Sequence, residues 1–253
     1  MLKTVNLALV VLKMFTREKP SWGGRELAHE MDLNHTNLYR ILETLERNGY
    51  VNKDPISKEY SLGFAVWELG TIFYEGLNIK KLINPVLEKL SERTGESVFL
   101  TILDDEEAVT LSVIEPKNKV KFSVSAGSRA PLYVGATYRS ILAFMPEDAI
   151  DKIIKPKLAA YTERTMTDPA DLLNELSTIR EKGWAESQGE YTPDVVAIAV
   201  PLIIHKTIIG SITVAGPSYR INQTQKELFL PMLRQTRDDI SDVITRYNLK
   251  LKV

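Results

Sequence analysis

Cysteine is absent from these 253 residues. That excludes disulfides, a thiol nucleophile and any thiolate-held metal. Histidine is scarce. His29, His35 and His205 are scattered with no HExxH-type spacing, so no metal site is expected. There is no GxSxG elbow and no GxxxxGKS/T phosphate loop, and Gly127-Ser128-Arg129 has no recognisable base beside it. Enzyme chemistry therefore has little to stand on, and no cofactor is expected. No uninterrupted apolar run reaches the roughly 18 residues of a membrane span. The opening Met1-Leu2-Lys3-Thr4-Val5-Asn6 leads into a helical pattern, not a signal peptide, which makes cytoplasm the expected compartment. Neither sign of charge dominates: 32 Lys/Arg face 33 Asp/Glu, for a net −1. A protein that coats nucleic acid would be more basic, so any DNA contact must be local.

What is present is periodicity. Val5, Leu7, Ala8, Val11, Leu12 and Phe15 have helical spacing and stop before the Arg17–Pro20 loop. Leu27, Ala28 and Met31 mark a second short helix over 25–31. After Asp32-Leu33, Asn34 is a good N-cap for a third helix, in which Leu38, Ile41, Leu42 and Leu45 form one buried stripe. Gly49 is a natural stop. Two extended pieces, Tyr50–Lys53 and Lys58–Leu62, flank the turn Asp54-Pro55-Ile56-Ser57 and predict a hairpin. Three helices and a hairpin in about 60 residues outline a winged helix-turn-helix.

Residues 64–80 predict a further helix, with Val66, Leu69, Ile72, Phe73 and Leu77 in register and in need of a partner. Another helix is expected over 82–94. Strands are expected at 98–103, 108–114, 120–125, 184–190, 195–204 and 207–215. Helices are expected at 138–145, 147–154, 169–182 and 224–247. The fold class is thus α+β in two domains: a winged helix-turn-helix over 1–63, a linker helix over 64–80, and a sensor domain of mixed sheet and flanking helices over 81–253.

In the third helix, burying the leucine stripe turns Thr36, Asn37, Arg40, Glu43, Thr44 and Arg47 outward. The N-terminal residues of such a helix enter the major groove. Here they are Asn34-His35-Thr36-Asn37-Leu38-Tyr39-Arg40, with no acid among them. Asn37 suits an adenine edge and Arg40 a guanine or a phosphate, while the Thr36 and Tyr39 hydroxyls suit phosphate oxygens. Lys58 and Tyr60 on the wing are candidates for backbone contact, and Arg25 for a contact from the second helix. The plain alternative is a solvated polar face. Residues 1–63 carry nine Lys/Arg against eight Asp/Glu, so a single copy should bind DNA weakly and a dimer on a palindrome is expected.

Several segments share a pattern. Thr4–Leu12, Arg25-Glu26-Leu27-Ala28, Asn37–Leu45 and Tyr60-Ser61-Leu62-Gly63 resemble the IclR family of bacterial transcriptional regulators. So do Leu90–Glu96, Tyr161–Thr165, Thr167-Asp168-Pro169, Ile179–Ala185 and Thr213–Pro217. The resemblance covers about residues 4–245 and rests on order and spacing. It implies a GAF-like effector domain, dimers that pair into tetramers, and control of a metabolic operon. Where the family offers Ser or Thr at the start of the second helix, this chain has Gly23-Gly24-Arg25.

Two strands of the second domain alternate in size. Val196, Ile198 and Val200 alternate with Ala197 and Ala199, and Ile212 and Val214 with Ser211, Thr213 and Ala215. One face is bulky and the other is small, leaving room either for a ligand or for a close-packed helix. Gly135-Ala136-Thr137 precedes a helix whose free amides would suit a carboxylate. The resemblance implies an effector site at positions matching Ala136, Thr137, Ser187, Ala197, Thr213 and Ala215, beside Gly135. Ala197 stands where the family often has Cys, Ala215 where it often has Ser, and Ser187 where some members have Asp. These losses point to a more apolar ligand, such as an aromatic acid, or to polar contacts from elsewhere. Glu190 and Arg139 are nearby but are expected as surface charges. The expected function is a repressor whose operator affinity answers to a carboxylic acid. A winged-helix module that binds protein is the alternative, and an enzyme a more distant one.

Overall fold

The computed structural model describes residues 2–249 and 251, which form two compact units, Met1–Gly76 and Leu77–Val253. The first holds helices α1 (Lys3–Lys13), α2 (Gly24–Glu30) and α3 (His35–Arg47) and strands β1 (Ser21–Gly23), β2 (Val51–Lys53) and β3 (Glu59–Leu62), followed by helix α4 (Phe64–Gly76). β2 and β3 are the expected hairpin. β1 adds a third antiparallel strand, in the order β1-β3-β2. Val11, Leu27, Leu38, Leu42, Val51 and Tyr60 fill the core between helices and sheet. The hairpin returns tightly onto the end of α3. A Cβ on Gly63 would lie 2.1 Å from the carbonyl oxygen of Gly49, so only glycine allows that approach.

The expected helix over 64–80 is interrupted. α4 ends at Gly76, Asn78 takes a left-handed conformation (φ 54°), and Ile79–Leu82 forms a separate turn, α5. Helix α6 (Asn84–Thr94) begins with Pro85 in its first turn and stops at Gly95, φ 71°.

The second unit is a six-stranded antiparallel sheet. Its strands are β4 (Ser97–Asp104), β5 (Glu107–Ile114), β6 (Arg129–Ala130), β7 (Ala185–Gln188), β8 (Val195–Ile204) and β9 (Thr207–Pro217), in the order β6-β5-β4-β9-β8-β7. Helices α7 (Gly135–Leu142), α8 (Glu147–Ile154), α9 (Pro169–Lys182) and α10 (Gln223–Tyr247) complete it. Alternation sorts the side chains as expected. Val196, Ile198, Val200, Ile212 and Val214 join a core with Leu87, Leu90, Leu233 and Ile240 of α6 and α10. Ala199 and Ala185 join the core beneath α7 and α9.

One expected strand is absent. Val120–Ser125 makes no ladder, and β6 pairs with β5 in its place. The apolar-polar alternation there is real, but the segment docks through single contacts. Phe122 meets Phe99 edge-on at 5.8 Å, the Ser97 hydroxyl donates to the Phe122 carbonyl at 2.5 Å, and Arg220 Nη1 donates to the Val120 carbonyl at 2.9 Å. The helix expected at 138–145 begins three residues earlier, so Gly135-Ala136-Thr137 is its first turn.

Candidate functional site

Two surfaces gather the residues singled out in the sequence. The first is α3. Asn34 caps it, its Oδ1 accepting the Thr36 amide at 2.8 Å, which commits that side chain to the helix. Leu38, Ile41, Leu42 and Leu45 are buried, which leaves His35, Thr36, Asn37, Tyr39 and Arg40 exposed. Further along, Arg47 is paired with Glu43 at 2.6 Å, whereas Arg40 makes no ion pair among the described residues. Arg40 and Asn37 stand at the rim of a groove of about 420 Å³ between α1 and α3, with Lys3 opposite and Leu7, Ala8, Ile41 and Leu45 within it.

Tyr39 explains the glycine that opens α2. A Cβ on Gly24 would come within 2.8 Å of the Tyr39 hydroxyl, so the small residue gives the ring its place. The N-cap is Gly23, so α2 has no side-chain cap, and Arg25 in its first turn is exposed.

On the wing, Asp54 Oδ1 accepts the amides of Ile56 and Ser57 at 2.8 and 2.7 Å, which holds its carboxyl below the usual range. Lys58 is exposed, takes a left-handed conformation (φ 62°) and donates to the Pro55 carbonyl at 2.6 Å. Tyr60 differs from expectation. Its ring is 3% exposed and belongs to the core, so it is not a free surface group. Alternation decides this, because every second residue of β3 must face the helices. Its cross-strand neighbour Lys53 carries the charge instead. The ammonium lies 5.1 Å from the Tyr60 ring centroid, and a hydrogen bond to that hydroxyl raises its pKa.

The second surface is the small face beneath α7. Ala197 pairs with Ala215 and Ala199 with Thr213 across β8 and β9, so these residues form adjacent rows. Thr213 Oγ1 donates to Thr137 Oγ1 at 3.0 Å, and Ser211 Oγ donates to the Thr137 carbonyl at 3.0 Å. The amide of Ala136 is not free as expected: it donates to Ser187 Oγ at 3.0 Å. Gly135, Ala136, Thr137, Ser187, Thr213 and the alanines are thus brought together, with their hydroxyls bonded to one another and to the helix. Tyr138 follows, and burial pushes its phenol up to about 12.

Arg139 corrects the sequence reading most sharply. It is no surface charge but 1% exposed, ion-paired with Glu190 and donating to the Glu186 carbonyl at 3.0 Å. Its position three residues after Ala136, on the same helix face, was the available signal.

Comparison with known proteins fits this geometry. Residues 5–55 match the IclR helix-turn-helix domain, and residues 73–242 match the bacterial transcriptional regulator IclR C-terminal family. The chain belongs to the IclR family. It is therefore a DNA-binding transcriptional regulator and not an enzyme. It is 32% identical over 246 residues to the HTH-type transcriptional regulator KipR of Bacillus subtilis, covering 96% of each chain. An IclR transcriptional regulator structure from Silicibacter sp. is 28% identical, with a TM-score of 0.87 over 95% of this chain and 96% of that one. An IclR homologue from Microbacterium hydrocarbonoxydans, in complex with 4-hydroxybenzoate, shares the fold at 18% identity, with a TM-score of 0.82 over 96% and 99% of the two chains. Within this IclR-family chain no described helix is long and apolar enough to cross a membrane.

Proposed function

We propose that this protein is a repressor of the cytoplasm that reads a palindromic operator as a dimer, or as a pair of dimers, and releases it on binding a carboxylic acid. The observation that carries the reading is α3. It offers an exposed, acid-free run of His35, Thr36, Asn37, Tyr39 and Arg40 on a helix fixed from behind by four buried aliphatic side chains. Asn37 and Arg40 read base edges. Thr36, Tyr39, Arg25, Lys58 and Lys53 hold phosphates, while Asn34 shapes the helix start. Residues 1–63 form the reading head and α4 the connection, and the sensor, expected from residue 81, begins at Leu77, where the second compact unit starts.

Dimerisation is supported by α4. Phe64, Trp67, Leu69, Ile72 and Phe73 are all at least half exposed, and the helix buries no residue. A stripe this apolar is left for a second copy. The effector site is the small face, lined by Gly135, Ala136, Thr137, Ser187, Ala197, Thr213 and Ala215. The aromatic acid held by the Microbacterium homologue supports a ligand of that class. Effector binding changes how two α4 helices pair and so the spacing of two α3 helices. A tenfold change in operator affinity requires about 1.4 kcal/mol of coupling.

A thermal-shift screen of small carboxylic acids identifies the effector, and Thr137→Leu then tests the site. The leucine fills the face, so the shift and the release from DNA should both disappear. A Thr137→Leu protein that still responds normally places the effector elsewhere. Transcription from a promoter carrying the operator, with and without the protein, reads the sign of control.

A further inference from the structure

Arg139 heads the largest fully buried side chains among the described residues. Glu190 meets it with both carboxylate oxygens: Nη2 donates to Oε1 at 2.8 Å and Nη1 donates to Oε2. The Nε–H has no acceptor, so the pairing leaves the guanidinium unsaturated.

The two partners are unequally held. Arg139 is fixed in α7, one helical turn beyond Ala136, and donates to the carbonyl of Glu186, the residue before Ser187. It thus sits beside the two residues that tie α7 to β7. Glu190 belongs to the surface turn 189–194, and its side chain is 12% exposed. The backbone of that turn is anchored without the carboxylate. The Thr162 hydroxyl donates to the Gly189 carbonyl and the Thr165 hydroxyl to the Glu190 carbonyl, each at 2.7 Å. Rotation of one side chain frees Arg139 while the turn stays in place.

A buried guanidinium needs a counter-ion at all times. Nothing in the geometry requires that the counter-ion come from the chain. A ligand carboxylate brings the same charge and the same pair of oxygens. We infer that the effector carboxylate takes the place of Glu190 on Arg139, and that Glu190 is a built-in place-holder that sets the sensitivity of the sensor. This rests on the small face beneath α7 being the effector site, and it supplies the cation which that face lacks. While Glu190 occupies the seat, the apparent affinity of a carboxylate is its intrinsic affinity multiplied by the fraction of protein in which the seat is free.

The test uses the full chain, titrated calorimetrically with sodium acetate, sodium 4-hydroxybenzoate and the neutral 4-hydroxybenzamide at fixed ionic strength. Glu190→Ala empties the seat, and Glu190→Gln removes the charge while keeping the shape should the alanine variant fold poorly. Both variants should bind the two carboxylates more tightly than the unaltered protein, Glu190→Ala by about tenfold or more. The amide should gain nothing. Adding Arg139→Met to either variant should abolish the gain. Equal carboxylate affinity with and without Glu190, or a gain that survives Arg139→Met, overturns the inference. Thr137→Leu in the same titration separates the two claims. If it abolishes binding while Arg139→Met has no effect, the small face stands and the Arg139 seat falls. If Arg139 decides binding while Thr137→Leu has no effect, the seat stands and the small-face site falls.

Discussion

Ser187 Oγ accepts the backbone amide of Ala136 at 3.0 Å, so one hydroxyl on the edge strand β7 fastens the first turn of α7. A helix start leaves its first amides without partners inside the helix, and Ser187 supplies one from a residue far along the chain. Ser187→Ala should therefore leave a partly buried N–H unsatisfied, at a cost of about 1–3 kcal/mol in stability. Urea unfolding followed by circular dichroism measures this as a lower midpoint with an unchanged slope. An unshifted midpoint would mean that water replaces the hydroxyl without loss.

The Tyr138 phenol gives the second unit an alkaline signature. Burial disfavours the phenolate and lifts the folded pKa from an ordinary 10 to about 12, with a smaller raising contribution from Tyr191 opposed by a hydrogen bond to Thr110. Between those values the folded protein holds a proton that the unfolded chain has released. The corresponding stability is intact below pH 10 and is lost as pH rises towards 12. The loss amounts to roughly 2–3 kcal/mol. Thermal unfolding of Tyr138→Phe across the same range should lack that part of the decline. The comparison cancels the other tyrosines and lysines.

The bare face of α4 makes a prediction about assembly. Ile72 is well exposed in the single chain, yet it lies on the stripe shared with Leu69 and Phe73. In a two-fold dimer each substitution acts twice. Placing a charge there with Ile72→Asp should cost about 3 kcal/mol or more, over a hundredfold in the dissociation constant. Sedimentation velocity should show the variant shifting towards monomer at concentrations where the unaltered protein is associated. An unchanged profile would put the interface elsewhere.

Legibility varied with the length of the signal. α3 was visible because four aliphatic residues repeat at helical spacing behind an asparagine whose only local use is to cap. The bulky and small faces of β8 and β9 were visible because alternation persists over a whole strand. β1 and β6, with three and two residues, are too short to show any period. Val120–Ser125 shows the period without the ladder, since alternation reports which side is apolar and not whether a neighbour is there to bond. The burial of Arg139 and of Tyr60 escapes the sequence for a shared reason. A polar atom at the end of a long side chain suggests solvent, and only the third dimension reveals that Glu190 waits for one and Lys53 covers the other. The break at Asn78 left no mark on the apolar repeat, because both segments keep helical spacing through it.

On the proposal that the amino-terminal half of α3 reads DNA, Arg40 is the residue on which recognition turns, and the binding of Arg40→Ala is the decisive measurement. A DNA sequence selected from a random pool by the full chain serves as the target, with affinity measured by fluorescence anisotropy over a series of salt concentrations. Loss of Arg40 should weaken binding by about 1–3 kcal/mol per half-site if it meets a base edge. If it meets a phosphate, the slope of log affinity against log salt should fall by about 0.9 per half-site. Unchanged affinity and unchanged slope in Arg40→Ala would contradict the assignment of this face as the one that reads DNA.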